Sequence, residues 1–256
     1  MPSIKSKTDI LFDHIRADIL SLDLSPNSAL RLPALSERYH IGLTPLRECL
    51  NRLCGDHLVV PEHNKGFRVA PLNRAELLDL EHSRNAIEGE LIAHAVTRGN
   101  DSWEAGIVGA FYHLSQTPVP TALESDDALS LWTRRHTAFH HALIYGSPSI
   151  WMQRFLLHLE DQLGRYHLFI QTGLRELATA TPHLATEGSK IIATGMALPP
   201  HEALYAAALA RDPEAARHAF DLHTGLTINA FEDLLALMPE GSKLADTLGT
   251  HSETPP

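Results

Sequence analysis

The sequence predicts a mainly α protein in two parts: a small α+β domain over residues 1–72 and an all-α helical bundle over residues 73–238. A disordered tail is expected at 239–256. Three observations carry this. The chain has 256 residues and is 44% hydrophobic, enough for two cores. Two β-rich runs, HLVVPEH and GFRVAPL, flank the turn-favouring Asn64-Lys65-Gly66. From Asn73 onward, amphipathic stretches follow one another with little β pattern, broken at Gly99-Asn100, at TPVPT and at Gly146-Ser147-Pro148.

In the first domain, LPALSERYHI supplies a short helix with Leu32, Leu35 and Tyr39 on one apolar face, ended by Gly42. Thr44-Pro45 opens a second helix, Pro45–Cys54. Thr44 is placed to cap it, and Pro45 suits the first helical position because its missing amide hydrogen would be unpaired there anyway. Leu46, Leu50 and Leu53 recur on the core stripe, which leaves Arg47, Asn51 and Arg52 off it. The β-rich runs then pair as a wing with Lys65 near its tip. Two helices and a wing make a winged helix-turn-helix, a module that lays its second helix in a DNA groove. The residues offered to DNA are Arg31, Arg38, Thr44, Arg47, Arg52 and Lys65, with Arg68 in the wing.

The formal net charge of -10 argues against indiscriminate nucleic-acid binding, but the acidity is unevenly spread. Residues 1–72 carry nine Lys/Arg against eight Asp/Glu, and residues 73–256 carry twelve against twenty-three. A modest basic face on the first domain can therefore still bind phosphates, with steep salt dependence. Cys49 and Cys54, five apart on one predicted helix, suit neither a disulfide nor a paired metal motif and read as free thiols. No apolar run is long enough for a membrane span, and MPSIKSKTD lacks a signal-peptide core, so a cytoplasmic protein is expected.

The second domain reads as six helices, near 73–97, 102–115, 125–145, 148–171, 200–210 and 213–238. Over Gly173–Leu198, Thr181-Pro182 and Gly188 interrupt the pattern, so its fold stays open; a mobile cover over a pocket is one reading. Among 17 histidines, His136 and His140 stand four apart, one turn apart on one helix face, as two metal ligands from a single helix must. His201 opens the penultimate helix and His223 lies within the last, so four imidazoles can converge inside the bundle. Imidazole suits zinc, nickel, copper and iron alike.

The stretch PALSERYHIGLTPLRECLNRLCGDHLVVPEHNKGFRVAPL resembles the winged-helix domain of the GntR family of transcription regulators, through TPLRE, an apolar L-x-x-L and G-F-R-V. Most members carry arginine before Thr-Pro where this chain has Leu43, which lacks the guanidinium of direct guanine readout. By resemblance, Arg31, Arg38 and Arg47 are the best DNA contacts. RRHTAFHHALIYG and HEALYAAALARDPEAARHAFDLH are similar to the effector domain of the FadR-type branch, the FCD domain. Its metal-binding members combine a carboxylate or related residue with three histidines, and those positions map onto His136, His140, His201 and His223. An imidazole at 136 adds no negative charge, which favours an anionic effector. Zinc is the ion that family habit implies.

The resemblance extends to the carbon-starvation-induced regulator subgroup through LRLPALSERYHIGLTPLREC, HNKGFRVAPLNRAELLD, RHTAFH and LGRYHLF. It implies a homodimeric repressor of a catabolic operon that reads palindromic operator DNA and responds to a small carboxylate, such as the dicarboxylate glutarate. An arginine would complete the grip on that carboxylate. The candidates are Arg84, with Glu88 one turn on to orient it, and Arg165 with Tyr166, mid-helix in LGRYHLF. Other readings are a metal-responsive regulator without organic effector, a winged-helix module that binds protein, and a zinc-dependent hydrolase. The last needs a general base beside the ion; no obvious one is present, and no HExxH occurs.

Overall fold

A computed structural model describes residues 6–63, 66–121 and 126–249. The chain divides into two compact units: Met1–Asn73 with Asp161–Phe169, and Arg74–Glu160 with Ile170–Pro256.

The N-terminal unit comprises α1 (Lys7–Leu20), β1 (Ala29–Leu30), α2 (Leu32–Arg38), α3 (Leu43–Gly55), β2 (Val59–Glu62) and β3 (Gly66–Val69). Sequence reading assigns no element before Leu32, yet α1 is well founded. Ser6 and Asp9 form a reciprocal capping box, with Asp9 N–H donating to Ser6 Oγ at 3.1 Å and Ser6 N–H to Asp9 Oδ2 at 3.2 Å. Leu11, Ile15 and Ile19, spaced four apart, are buried against Leu35, Leu46, Leu50 and Leu53. The helix α1 thus closes the core beneath α2 and α3.

The wing is a three-stranded antiparallel sheet in the order β1-β3-β2, with Leu30 opposite Phe67 and Val59 opposite Val69. Gly66 takes a positive φ of 97° where the chain re-enters β3, a conformation that glycine adopts without a Cβ clash. Lys65, the expected tip residue, lies outside the described residues.

The second helix starts earlier than its Thr-Pro signal suggests. Gly42 is the N-cap of α3, and Thr44 and Pro45 lie inside the first turn, with Thr44 making no cap bond. The first turn's amides have no intrahelical partner, so proline is tolerated throughout it, and the helix extends back to Leu43.

The C-terminal unit holds α4 (Arg74–Arg98), α5 (Asp101–Ser115), α6 (Asp126–Ile144), α8 (Pro182–Gly195), α9 (Leu198–Leu209), α10 (Pro213–Leu237) and both ends of α7 (Ile150–Ala180). That is seven helices among the described residues, one more than expected. The difference lies in Gly173–Leu198: α7 runs on to Ala180, Thr181 breaks it, and Pro182 opens α8. Gly188 is a close-packing position rather than a breaker. A Cβ there would stand 2.7 Å from Leu174 Cδ2 and 2.8 Å from Leu234 Cδ1.

Helix α10 packs against α4, α8 and α9, and α5 against α6 and α9. Their shared core includes Leu91, Trp103, Phe139, Leu143, Leu204 and Phe220. Asn100 and Asp212 cap α5 and α10 through their side chains. Residues 239–249, expected as part of a tail, are structured. Leu244 and Leu248 are buried, the latter in a π-helical turn at Ala245–Gly249, and Lys243 pairs with Glu176 at 2.8 Å. These two apolar side chains, four apart, anchor a polar-looking stretch; residues 250–256 lie outside the described residues.

Candidate nucleic-acid interface and metal centre

The helix-turn-helix is positioned from beneath. Leu46, Cys49, Leu50 and Leu53 are fully buried on one face of α3, which turns Thr44, Arg47, Asn51 and Arg52 outward. The six DNA candidates then separate by their partners. Arg31, the N-cap of α2, and Arg47 are exposed and have no hydrogen-bond or ion-pair partner among the described residues. Thr44 is exposed beside them in sequence. Arg38 instead meets Asp18 at 2.5 Å, where the Tyr39 hydroxyl also donates at 2.6 Å. Burial and that carboxylate push the Tyr39 phenol well above its ordinary pKa.

Arg52 donates to Asp9 Oδ1 at 3.0 Å and lies 4.3 Å from the Phe12 ring centroid. Arg68 pairs with Glu62 at 2.8 Å and also donates to Asn27 O, tying the strands of the wing together. Arg38, Arg52 and Arg68 thus have structural work inside the unit.

In the C-terminal unit, α6 presents His136 and His140, α9 presents His201 and α10 presents His223. Each offers one ring nitrogen, and the four atoms lie within 4.8 Å of one another. Opposite ligands around an ion with bonds of about 2.1 Å stand about 4.2 Å apart, so the set has the dimensions of a coordination shell. His140, His201 and His223 are buried, and His136 is partly so. Trp132, one turn before His136 on α6, stacks on its ring at a centroid distance of 4.5 Å and an interplanar angle of 18°.

The hydrogen bonds fix which nitrogen is left for a ligand. His140 donates from Nδ1 to Glu88 Oε1 at 2.6 Å, and His201 from Nδ1 to Ala197 O at 2.7 Å, which assigns the lone pair to Nε2 in each. Those two Nε2 atoms, and Nδ1 of His223, are buried with no hydrogen-bond partner among the described residues. An orphaned buried polar atom costs about 1–3 kcal/mol, and three of them on histidines of one close group fit a metal ion. Burial, and then the neighbouring His140, hold His201 down to about 3. Burial likewise puts His136 and His223 well below the ordinary imidazole value, so these two and His201 are neutral at physiological pH.

Glu88 joins this centre to Arg84. Arg84 Nε donates to Glu88 Oε2 at 2.7 Å while the other carboxylate oxygen holds His140. Burial pushes the Glu88 carboxyl up, but Arg84 and His140 overcome it and hold it at about 2. Glu81 lies 3.8 Å from Arg84 Nη1, and the two carboxylates hold the buried guanidinium above its ordinary value despite desolvation. The expected link from Glu88 to Arg84 is present. Its second arm, onto His140, has no local signal, because the partner is 52 residues away. Trp132 was legible in principle, four residues before His136.

Arg165 and Tyr166, read as effector residues, are correctly placed mid-helix but have other work. Arg165 donates from Nη2 to Ala70 O at 2.7 Å and from Nη1 to Gln162 Oε1 at 3.1 Å, and Tyr166 Oη accepts from Asn73 N–H at 3.1 Å. Both are buried, and their stretch of α7 groups with the N-terminal unit. Periodicity locates a mid-helix residue but cannot say which unit that turn of helix joins. Arg84 is brought to the histidines through Glu88.

The description "Bacterial regulatory proteins, gntR family" matches residues 7–69 and "FCD domain" matches residues 79–225. The chain is 31% identical over 222 residues to the HTH-type transcriptional repressor GlaR of Escherichia coli (strain K12), covering 87% of this chain and 94% of that one. It is 29% identical over 227 residues to the uncharacterized HTH-type transcriptional regulator BphR of Paraburkholderia xenovorans (strain LB400), covering 89% and 86%. Two solved structures share the fold. One is a putative GntR transcriptional regulator from Rhodococcus sp. RHA1, with TM-score 0.61, 17% identity and coverage of 92% of this chain and 100% of that one. The other is E. coli McbR/YncC, with TM-score 0.58, 20% identity and coverage of 90% and 99%. The chain therefore belongs to the GntR family of bacterial regulatory proteins, in the branch that carries an FCD domain, and is a DNA-binding transcription regulator rather than an enzyme.

Proposed function

We propose that this regulator is a repressor of a catabolic operon whose hold on DNA is set by a small carboxylate bound at a metal ion, held by His136, His140, His201 and His223. The observation that carries the reading is that three buried ring nitrogens have no hydrogen-bond partner among the described residues, on histidines of a group of four whose ligand atoms lie within 4.8 Å of one another. The donor set is all nitrogen, which suits zinc, nickel or another transition metal and not magnesium or calcium. When bound, the ion supplies a Lewis-acidic anchor for a carboxylate. Its ligands are neutral, so they leave its charge unquenched for an anion, a dicarboxylate such as glutarate being the leading candidate. His140 is oriented for this by Glu88, and Glu88 by Arg84. Arg84 is the proposed second hand on the effector.

In the N-terminal unit, Arg31, Thr44 and Arg47 meet operator DNA, with Lys65, Arg38 and Arg52 in support. A palindromic site takes two copies of the winged unit. The proposed homodimer is supported by α7, which exposes Ile150, Trp151, Phe155 and Leu157 within eight residues, apolar surface of the kind a second copy covers. Release from DNA requires the effector to bind the DNA-incompetent arrangement more tightly, since equal affinity shifts nothing. The linker near Pro71–Arg74 is where the winged units re-angle.

Metal analysis of the purified protein, followed by operator binding with a panel of C4 to C6 mono- and dicarboxylates, tests the reading. A bound transition metal and loss of operator affinity with a carboxylate support it. A second reading has an observation of its own: four protein ligands can close a tetrahedral site, leaving no position for an acid. The ion is then the signal. Chelation alone changes DNA affinity in that case, and no acid does.

A further inference from the structure

We propose that Leu43 is a base-reading residue, contacting the 5-methyl group of a thymine in the major groove and making that position of each half-site T·A rather than G·C. Leu43 is the first residue of α3, and it precedes Leu46 by three and Leu50 by seven. That spacing puts it on the rim of the buried stripe, yet it is 48% exposed while Leu46 and Leu50 are 0% exposed. Among the described residues it is not part of the core of its unit. It lies one helical turn before Arg47, so the two side chains are neighbours on one face at the N-terminal end of the helix.

In a helix-turn-helix that end carries the residues which meet base edges. Thr44 beside it, and Arg31 and Arg47, are exposed and open to phosphate and base. A leucine among them cannot donate or accept a hydrogen bond. Against guanine it would cover the N7 and O6 acceptors, and against cytosine the N4 donor, leaving polar groups dry and unpaired. Thymine alone offers an apolar group in the major groove, its C5-methyl. The exposed leucine and the methyl bury each other.

The test begins with operators selected by the full-length protein from a random duplex library. Each thymine of the selected site is then replaced singly by uracil, which removes the methyl and leaves pairing intact. One position per half-site should lose about fourfold in affinity, the effect of burying one methyl. Leu43→Ala should bind thymine and uracil equally there, and Leu43→Arg should shift the preferred base towards guanine. Alanine at an exposed helical site favours the helix, so folding is preserved. Selection without a preferred base, no uracil-sensitive position, or a uracil effect that persists in Leu43→Ala overturns the proposal.

Discussion

In the winged unit the cations offered to DNA, Arg31 and Arg47, lie on the surface, whereas in the helical unit the four imidazoles converge inside the bundle and three of their nitrogens have no partner among the described residues. A surface arginine is solvated before its partner arrives and loses little by waiting. A buried imidazole nitrogen is not, so its site is stable only when something completes it. Ligand binding at the buried site is therefore coupled to the stability of its unit, while binding at the exposed face is coupled to salt.

The largest expected effect comes from breaking the buried half. His140→Ala together with His223→Ala should abolish transition-metal retention, read by metal analysis after dialysis, and leave duplex DNA binding in place. Wild-type protein should show an unfolding free energy higher by about 2.7 kcal/mol when free metal is raised to 100 times its Kd, and the double variant none. If the variant retains metal, the histidines are not its ligands.

Glu88→Gln sharpens the comparison from one shell out. It keeps an acceptor for His140 but removes the charge that Arg84 grips. Metal affinity should fall about 10- to 100-fold in a chelator competition, with no change in the salt dependence of DNA binding. An unchanged metal affinity would reduce Glu88 to a packing residue.

The histidine centre was largely legible in the sequence, because His136 and His140 share a helix face by spacing alone and resemblance supplied His201 and His223. Its supporting groups were less so. Glu88 meets His140 across 52 residues, and nothing local to Arg165 or Tyr166 says that their turn of α7 serves Ala70 and Asn73. In the winged unit, Leu46, Leu50 and Leu53 announced the core of α3, but α1 went unread. Its signals were present: the Ser6 and Asp9 pair and Leu11, Ile15 and Ile19 at four-residue intervals. The Thr44-Pro45 signal located the helix but not its first residue, since proline satisfies any position of the first turn.

Within the exposed face the comparison predicts a hierarchy. Arg47→Ala should weaken operator binding and reduce the slope of log affinity against log salt by about one, as expected for one lost phosphate contact. Arg52→Ala should do less, because its guanidinium is engaged by Asp9 and Phe12. Equal effects of the two would remove the distinction between free and engaged arginines.

The smallest effect separates what Arg52 does for the fold from anything it does for DNA. The Ser6 hydroxyl first, and Arg52 next, hold the Asp9 carboxyl below its ordinary value of 3.8. A carboxyl whose folded pKa is depressed stabilises the folded state above the unfolded pKa, and that contribution is lost as pH falls through the lower folded value. Both partners are exposed, so the contribution is modest. Arg52→Ala should therefore slightly lower the hydrogen-exchange protection of α1 amides at neutral pH. The difference from wild type should shrink as pH drops below about 3.8, once protonated Asp9 can no longer hold the guanidinium. A difference that persists in acid would assign the role of Arg52 to its stacking on Phe12, which does not titrate.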